Sequence, residues 1–217
     1  MQPSCRQPQI AAIFDVDRTL LRYPSERLFF CYLLQQRVLP LRQGLLFLAA
    51  LLQQYPDRHG NKSYLQGLAC AQVQQLAEDC YHSLLKPRLS AAALACLQGH
   101  QRQGHQTVLL SGSLEYLLRP LHRDLQTHWL IATRLEVNGR QCTGRIQGRH
   151  PRGLNKVLLL QELAVQAGFV LSQSFAYADD ASDLPLLEQV GHPVAVNPSR
   201  PLKLLAQQRG WPIRRFR

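Results

Sequence analysis

Acidic residues are scarce in this chain: 14 aspartates and glutamates stand against 25 lysines and arginines in 217 residues, a formal net charge of +11. A run of about 20 apolar residues, the length a bilayer-spanning helix needs, is also missing. The longest apolar stretch, LPLRQGLLFLAALL at 39–52, is interrupted by Arg42, Gln43 and Gly44 and reads as a buried or interfacial helix. No stable membrane insertion is therefore expected. The six cysteines (Cys5, Cys31, Cys70, Cys80, Cys96, Cys142) form no C-x-x-C pair, which argues against zinc and for reduced thiols in a cytoplasm. The eight histidines show no H-E-x-x-H or other ligand spacing, and each reads as surface or core filler. The first nine residues are polar and the apolar run after them is too short for a signal-peptide core, so no secretory leader is expected. The surplus positive charge has no aromatic-rich basic stripe beside it; basic residues are spread out, with one cluster in WPIRRFR at the end. That pattern reads as a solvated basic surface, and no nucleic-acid partner is expected. The chain shows no internal repeat and no low-complexity segment.

What is present is organised. Hydrophobic residues make up 46% and charged residues 18%, a globular balance, and the length suits one domain with an insertion or two small ones. Short apolar runs recur at 9–14, QTVLLS (106–111), FAYA (175–178) and PVAV (193–196). Between them, AAALACLQGHQRQG, LEYLLRPLHRDL and NKVLLLQELAVQAG carry helical spacing, the last ending in Gly168 as a C-terminal cap glycine. Strands alternating with helices predict a parallel, helix-covered sheet. Asn138-Gly139, between alternating runs in TRLEVNGRQCTGRI (133–146), predicts a hairpin. Residues 22–85 break the alternation with helical patterns only, apart from a loop at 55–61, and read as an all-helical insertion after the first strand.

In an open parallel sheet, ligands gather beyond the carboxyl ends of the strands. The residues that follow each strand are therefore the informative ones. After the first come Asp15, Asp17 and Thr19; after the second, Ser111, Gly112 and Ser113; after FAYA, Asp179, Asp180 and Asp183. Asp15 and Asp17 alternate along the strand end and so share a side. Taken alone they are equally compatible with a strand running into a solvated turn. Five aspartates in one crevice raise each other's pKa, and a hard divalent cation such as Mg²⁺ resolves the conflict. Ser111 and a helix opening at Ser113 would supply a hydroxyl and free N–H groups for an anion. Lys156 sits near the start of its helix, where the macrodipole disfavours a cation, and is a functional candidate for that reason. A metal and an anion cradle beside a carboxylate suit phosphoryl transfer.

FDVDRTLL resembles the D-x-D-x-T motif of the haloacid dehalogenase superfamily. LLSGS resembles its second motif, Lys156 in GLNKV stands where the third motif's lysine is expected, and YADDASDLPLL resembles the fourth, with Ala178 in place of the usual glycine. The closing AVNPSRPLKLLAQQRGWPI resembles the phosphoserine-phosphatase-like branch, subfamily IB. Arg18 stands where Asn, Gly or Ser is commoner, its side chain expected to point away from the site, and RYPSERLFF does not reproduce the substrate-binding pattern of a true phosphoserine phosphatase. The resemblance implies a Rossmann-like α/β core formed by 1–21 and 86–217, with a helical C1 cap at 22–85. It implies that Asp15 is the nucleophile and Asp17 the general acid and then base. The Asp15 carboxylate, the Asp17 carbonyl and Asp179 would hold Mg²⁺, with Asp183 completing or orienting that shell. Ser111, Gly112 and Lys156 would bind the phosphoryl oxygens. Asp180 would support the loop, and Thr19 would fix the segment carrying the two aspartates.

The expected activity is Mg²⁺-dependent hydrolysis of a small phosphorylated metabolite through an aspartyl-phosphate, in the cytoplasm. Amino-alcohol phosphates such as phosphoserine or histidinol phosphate are candidates because Glu26 offers a carboxylate for an amine. Ser25 and Glu26 are the selectivity candidates in the cap. The competing readings are a phosphotransferase on the same core and a nucleic-acid- or membrane-surface-binding protein without catalysis. Oligomeric state is not legible.

Overall fold

A computed structural model describes residues 9–39 and 61–216. The expected helix over 39–52 and loop over 55–61 lie, but for their end residues, outside the described residues. Seven strands form one sheet in the order β4-β3-β2-β1-β5-β6-β7. They are β1 (Ala11–Phe14), β2 (Gln106–Leu114), β3 (Trp129–Asn138), β4 (Gln141–Gln147), β5 (Phe175–Ala178), β6 (His192–Val196) and β7 (Ile213–Arg214). All neighbours run parallel except β3 and β4, which are antiparallel. The helices are α1 (Ser25–Gln35), α2 (Cys70–Cys80), α3 (Ala91–Arg102), α4 (Glu115–Asp124), α5 (Leu154–Ala167), the single turn α6 (Leu184–Leu187) and α7 (Arg200–Gln208).

β1 and β5 are apolar throughout, and β2 is apolar over Val108–Leu110, because both faces of these strands are covered. Along β1, Ala12 and Phe14 face a core built with α3 and α4, while Ala11 and Ile13 face one built with α5, α6 and α7. Side chains the size of Ile13 and Phe14 contribute about 1.5–3 kcal/mol each when fully buried, and the alanines less. α1 and α2 add Phe29, Leu33, Val73 and Ala77 to the first of these cores, so these two helices share an apolar interior with the sheet.

The chain on either side of these helices meets at one point: Leu21 bridges Leu89, and Ser90 N–H donates to the Leu20 carbonyl at 2.9 Å. Their far side docks on the sheet edge. Cys70 N–H donates to the Arg140 carbonyl at 2.9 Å, and Gly67 N–H to the Cys142 carbonyl at 2.9 Å. Gly144, at φ +77°, lies under this contact; a Cβ there would come within 2.9 Å of Ser63 Cα. Among the described residues, no helix is long and apolar enough to cross a membrane.

Four local expectations shift. β2 continues to Leu114 and α4 opens at Glu115, so Ser113 lies within a strand and does not open a helix. The register of β2 against β3 slips between Leu110 and Leu114, which lets the Ser-Gly-Ser segment depart from regular pleating. The hairpin turn is Gly139-Arg140, one residue later than expected, with Asn138 paired to Gln141 and Gly139 at φ +62°. The first part of β3, Trp129–Ile131, pairs parallel with β2; its short mixed pattern gave no period by which to see it. Ile213–Arg214, inside the basic WPIRRFR cluster, is the two-residue edge strand. Gly168 is the expected cap, at φ +76° with its N–H on the Ala164 carbonyl.

Candidate active site

The strand order reverses at β1 and β5, which are parallel neighbours whose carboxyl ends open into one crevice. Asp15 follows β1 and Asp179 follows β5. Asp15 N–H still donates to the Tyr177 carbonyl at 2.9 Å, so the ladder carries Asp15 to the very rim of the sheet. The next residue, Val16, turns into the core, and Asp17 returns to the cleft. The loop is held by the Val16 carbonyl, which accepts from the N–H groups of Thr19, Leu20 and Leu21. Thr19 is buried and its N–H takes part in that turn, while its hydroxyl has no partner among the described residues. Arg18 sits at φ +60°, a left-handed conformation that costs a non-glycine residue roughly 1–2 kcal/mol and explains why small residues suit the position. Asn197 Nδ2 donates to the Arg18 carbonyl at 3.1 Å. The Arg18 side chain lines the cleft instead of pointing away from it.

The cleft measures about 980 Å³. Asp15, Asp17, Ser111, Gly112, Lys156, Asp179 and Asp183 all line it. Lys156, in the first turn of α5, reaches across to donate to Asp15 Oδ1 at 2.7 Å and to Asp183 Oδ2 at 2.8 Å. A cation there is disfavoured by the helix dipole by about 0.3–1 kcal/mol, whereas hydrogen bonds to charged groups contribute about 1.5–3 kcal/mol each. Burial by itself would lower the Lys156 pKa, but Asp15 and Asp183 outweigh it and hold the ammonium well above its ordinary range.

The same burial raises Asp15 well above the usual carboxylate range; Lys156 opposes the rise, while Asp183 and Asp179 add to it. Asp179 is pushed up to about 7 by burial and by Asp180 and Asp183, with Arg18 and Lys156 pulling the other way. Asp180 Oδ1 accepts from Ser182 N–H at 2.9 Å and caps the short turn Ala181–Asp183; that bond, outweighing partial burial, keeps its carboxyl low.

Ser111 is buried, and its Oγ accepts from Ser113 N–H at 3.2 Å. Gly112 is needed for closeness: a Cβ would stand 3.3 Å from His150 Cε1 and 3.4 Å from the Pro151 carbonyl oxygen. Thr133 Oγ1 donates to the Gly112 carbonyl at 2.5 Å and lies 2.9 Å from His150 Nδ1, which leaves Nδ1–H as the donor in the second bond.

The two selectivity candidates end up in different places. Glu26 lines the cleft, but both its oxygens lie 2.7 Å from Nζ of Lys62, which is only 1% exposed. Burial raises the Glu26 pKa, Lys62 opposes this, and Asp17 adds a smaller rise. Ser25 is fully buried and is not among the cleft-lining residues; its hydroxyl donates to Ser113 Oγ at 2.8 Å. Lys62, Thr133 and His150 are not among the sequence-predicted site residues, and Ser113 is expected only as the opening of a helix. The one available signal for His150 was its place in RHPRGLNK, the loop that delivers Lys156 to the sheet edge.

A family model described as haloacid dehalogenase-like hydrolase matches residues 12–188. The chain is 32% identical to an inhibition of morphological differentiation protein from Streptomyces azureus, over 96% of this chain and 79% of that one. It is 30% identical to a phosphoserine phosphatase from Mycobacterium tuberculosis, over 99% of this chain and 74% of that one. It is 29% identical to a histidinol-phosphatase from Neisseria meningitidis serogroup C, over 95% and 98%. Among solved structures, a protein of unknown function from Bordetella pertussis Tohama I superposes with a TM-score of 0.85 at 26% identity, over 95% of this chain and 98% of that one. A phosphoserine phosphatase in its apo form superposes at 0.71 and 16% identity, over 96% and 94%, a likeness of fold alone.

Proposed function

The chain belongs to the haloacid dehalogenase-like hydrolases and is a phosphatase, and on that premise we propose that it hydrolyses a small phosphomonoester with Mg²⁺ through a phosphorylated Asp15. The observation that carries this reading is the meeting of Asp15, Asp179, Asp183 and Lys156 at the carboxyl ends of two neighbouring strands. Three buried carboxylates with one ammonium form an oxygen-donor set short of positive charge, which suits a hard divalent cation. Among the described residues, no three acidic, histidine or cysteine side chains stand already closed around one ion position, and Asp15 and Asp183 both bond Lys156. Asp15 and Asp179, with the Asp17 carbonyl and Asp183 in support, are the residues that would hold Mg²⁺. When bound, it would withdraw charge from the phosphoryl oxygens and lower the repulsion that a carboxylate meets on approach.

Lys156 occupies Asp15 Oδ1 and leaves Oδ2 for attack on phosphorus. Ser111, the Gly112 backbone and Lys156 are the candidates for binding the phosphoryl oxygens. Asp17 would protonate the departing alcohol oxygen and then take a proton from the water that opens the aspartyl-phosphate, two easier steps in place of one hard one. Residues 22–85 would act as a cap, since Glu26, Arg27, Phe30 and Leu34 on α1 and Tyr64 beyond it line the cleft. The names of the relatives support amino-alcohol phosphates as the first substrates to test.

The test is acid quenching in a single turnover with phosphoserine and histidinol phosphate, followed by mass analysis of the Asp15 peptide. A phosphorylated Asp15 that forms with Mg²⁺ and is absent in excess EDTA is expected. Turnover that persists in EDTA, or that never modifies this peptide, overturns the reading.

A further inference from the structure

Asp17 is gripped from two sides. Ser113 Oγ donates to its Oδ2 at 2.7 Å, and Ser25 N–H donates to its Oδ1 at 2.8 Å. Ser25 Oγ donates in turn to Ser113 Oγ at 2.8 Å, which closes a ring of three residues brought together from the loop after β1, the end of β2 and the start of α1. Ser113 is 3% exposed and Ser25 is fully buried, so water does not compete for these bonds.

The local sequence explains why the ring forms. α1 opens after Pro24, whose side chain has no acceptor for the free N–H groups of the first turn. The Asp17 carboxylate supplies that acceptor from outside the helix, where the dipole favours an anion. Ser113 reaches Asp17 because β2 extends to Leu114 and its register slips just before, where a helix opening at Ser113 would have pointed the side chain elsewhere. A carboxylate has about four acceptor positions. With one bond on each oxygen, lone pairs remain to exchange a proton, but the plane of the group is held.

We propose that Ser113 and Ser25 are positioning residues that hold the Asp17 carboxylate for proton transfer at the leaving oxygen, Ser25 tying that orientation to the placement of α1. The proposal rests on Asp17 as the general acid–base. α1 also presents Glu26, Arg27, Phe30 and Leu34 to the cleft, so a leaving group seated on this helix and the residue that protonates it share one element. A shift of α1 would withdraw the Ser25 N–H from Oδ1 and loosen Asp17.

The experiment compares an alkyl phosphate, whose alcohol needs a proton to depart, with p-nitrophenyl phosphate, whose phenolate does not. Each is assayed on wild type, Ser113→Ala, Ser113→Thr and Ser25→Ala, alone and in an Asp17→Asn background. Ser113→Ala should lower kcat/KM for the alkyl phosphate, which reports formation of the aspartyl-phosphate and not its opening by water, about ten-fold, the worth of one hydrogen bond to a charged group, with a much smaller drop in kcat/KM for the aryl phosphate. Ser113→Thr, which keeps the hydroxyl, should recover most of the alkyl activity. Ser25→Ala should act in the same direction but less, since its backbone donor stays, and it serves if Ser113→Ala does not fold. In the Asp17→Asn background the serine substitutions should add nothing. Equal losses of kcat/KM on both substrates, no loss on either, or full additivity with Asp17→Asn would overturn the proposal. A wild-type protein inactive on every phosphomonoester would instead remove the phosphatase reading beneath it.

Discussion

Lys156 Nζ lies 2.7 Å from Asp15 Oδ1, across 141 positions of sequence, and both side chains are shut away from water. The pair is asymmetric in consequence. Asp15 is expensive to keep charged, and Lys156, shared with Asp183, is what keeps its carboxylate available.

Replacing Lys156 with Met should therefore do two things. Turnover should fall by roughly 10²-fold or more, the scale of losing one charged donor at a reacting centre. Stability should fall by about 3 kcal/mol, because two buried carboxylates lose their counter-charge. Asp15 is already raised in the folded chain, and removing the cation raises it further. Its favourable contribution is then complete only below the unfolded carboxylate range and is lost as pH rises through the folded value. Urea unfolding of Lys156→Met should show a larger deficit at pH 8 than at pH 5; a deficit independent of pH would refute the account.

Glu26 and Lys62 form a second inward-facing ion pair, on the cap side of the cleft. Lys62 is almost fully buried and Glu26 about a quarter exposed at the side chain, so part of the attraction is screened. A double-mutant cycle with Glu26→Gln and Lys62→Met should give a coupling of about 1 kcal/mol in thermal or urea unfolding. Because Lys62 already claims both oxygens, a substrate ammonium should gain little at Glu26. The kcat/KM ratio of amine-bearing to amine-free phosphomonoesters should shift by less than about three-fold in Glu26→Gln. A much larger loss confined to the amine-bearing esters would make Glu26 the ammonium site after all.

His100 underlies a prediction away from the cleft. Its Nε2 lies 2.7 Å from the Tyr177 hydroxyl and its Nδ1 2.8 Å from His105 Nδ1, while the Tyr177 ring stacks on Phe14 at 4.5 Å beneath the strand ends. Burial, then His105 and Arg214, lower the His100 pKa from 6.5 to about 4. Between those values the unfolded chain takes up a proton that the folded chain refuses, so stability falls as pH drops through that window, by up to about 3 kcal/mol. Urea titrations from pH 7 to 4 should show this slope in wild type and a shallower one in His100→Gln, which cannot titrate. Parallel slopes in the two proteins would assign the acid sensitivity to other groups.

Much of the fold could be read in advance because its signals are local. A parallel strand covered on both faces reads as an unbroken apolar run, and Ile10–Phe14, FAYA and the Val108–Leu110 centre of QTVLLS do. Gly168 ends α5 as a glycine in a left-handed conformation should. Where the signal was short or mixed, the reading slipped. Trp129–Ile131 and Ile213–Arg214 are strands by virtue of their neighbours rather than their own period, and Ser113 looked like a helix cap until β2 was seen to run past it.

The site divides along the same line. The sequence by itself determined which chemistry-bearing residues follow which strands, since strand order and alternation carry Asp15, Asp17, Ser111, Asp179 and Asp183 to one edge whatever the details of packing. Only the tertiary structure decided which atoms those residues meet. Glu26 is bound to Lys62, 36 positions away, and Ser25 is turned from the cleft onto Ser113, 88 positions away. The Thr19 hydroxyl has no partner among the described residues, and Gly112 is pressed against His150. Such pairings depend on how elements distant in sequence pack and on which buried donors must find acceptors there. A side chain's direction in a loop obeys no period that a sequence displays.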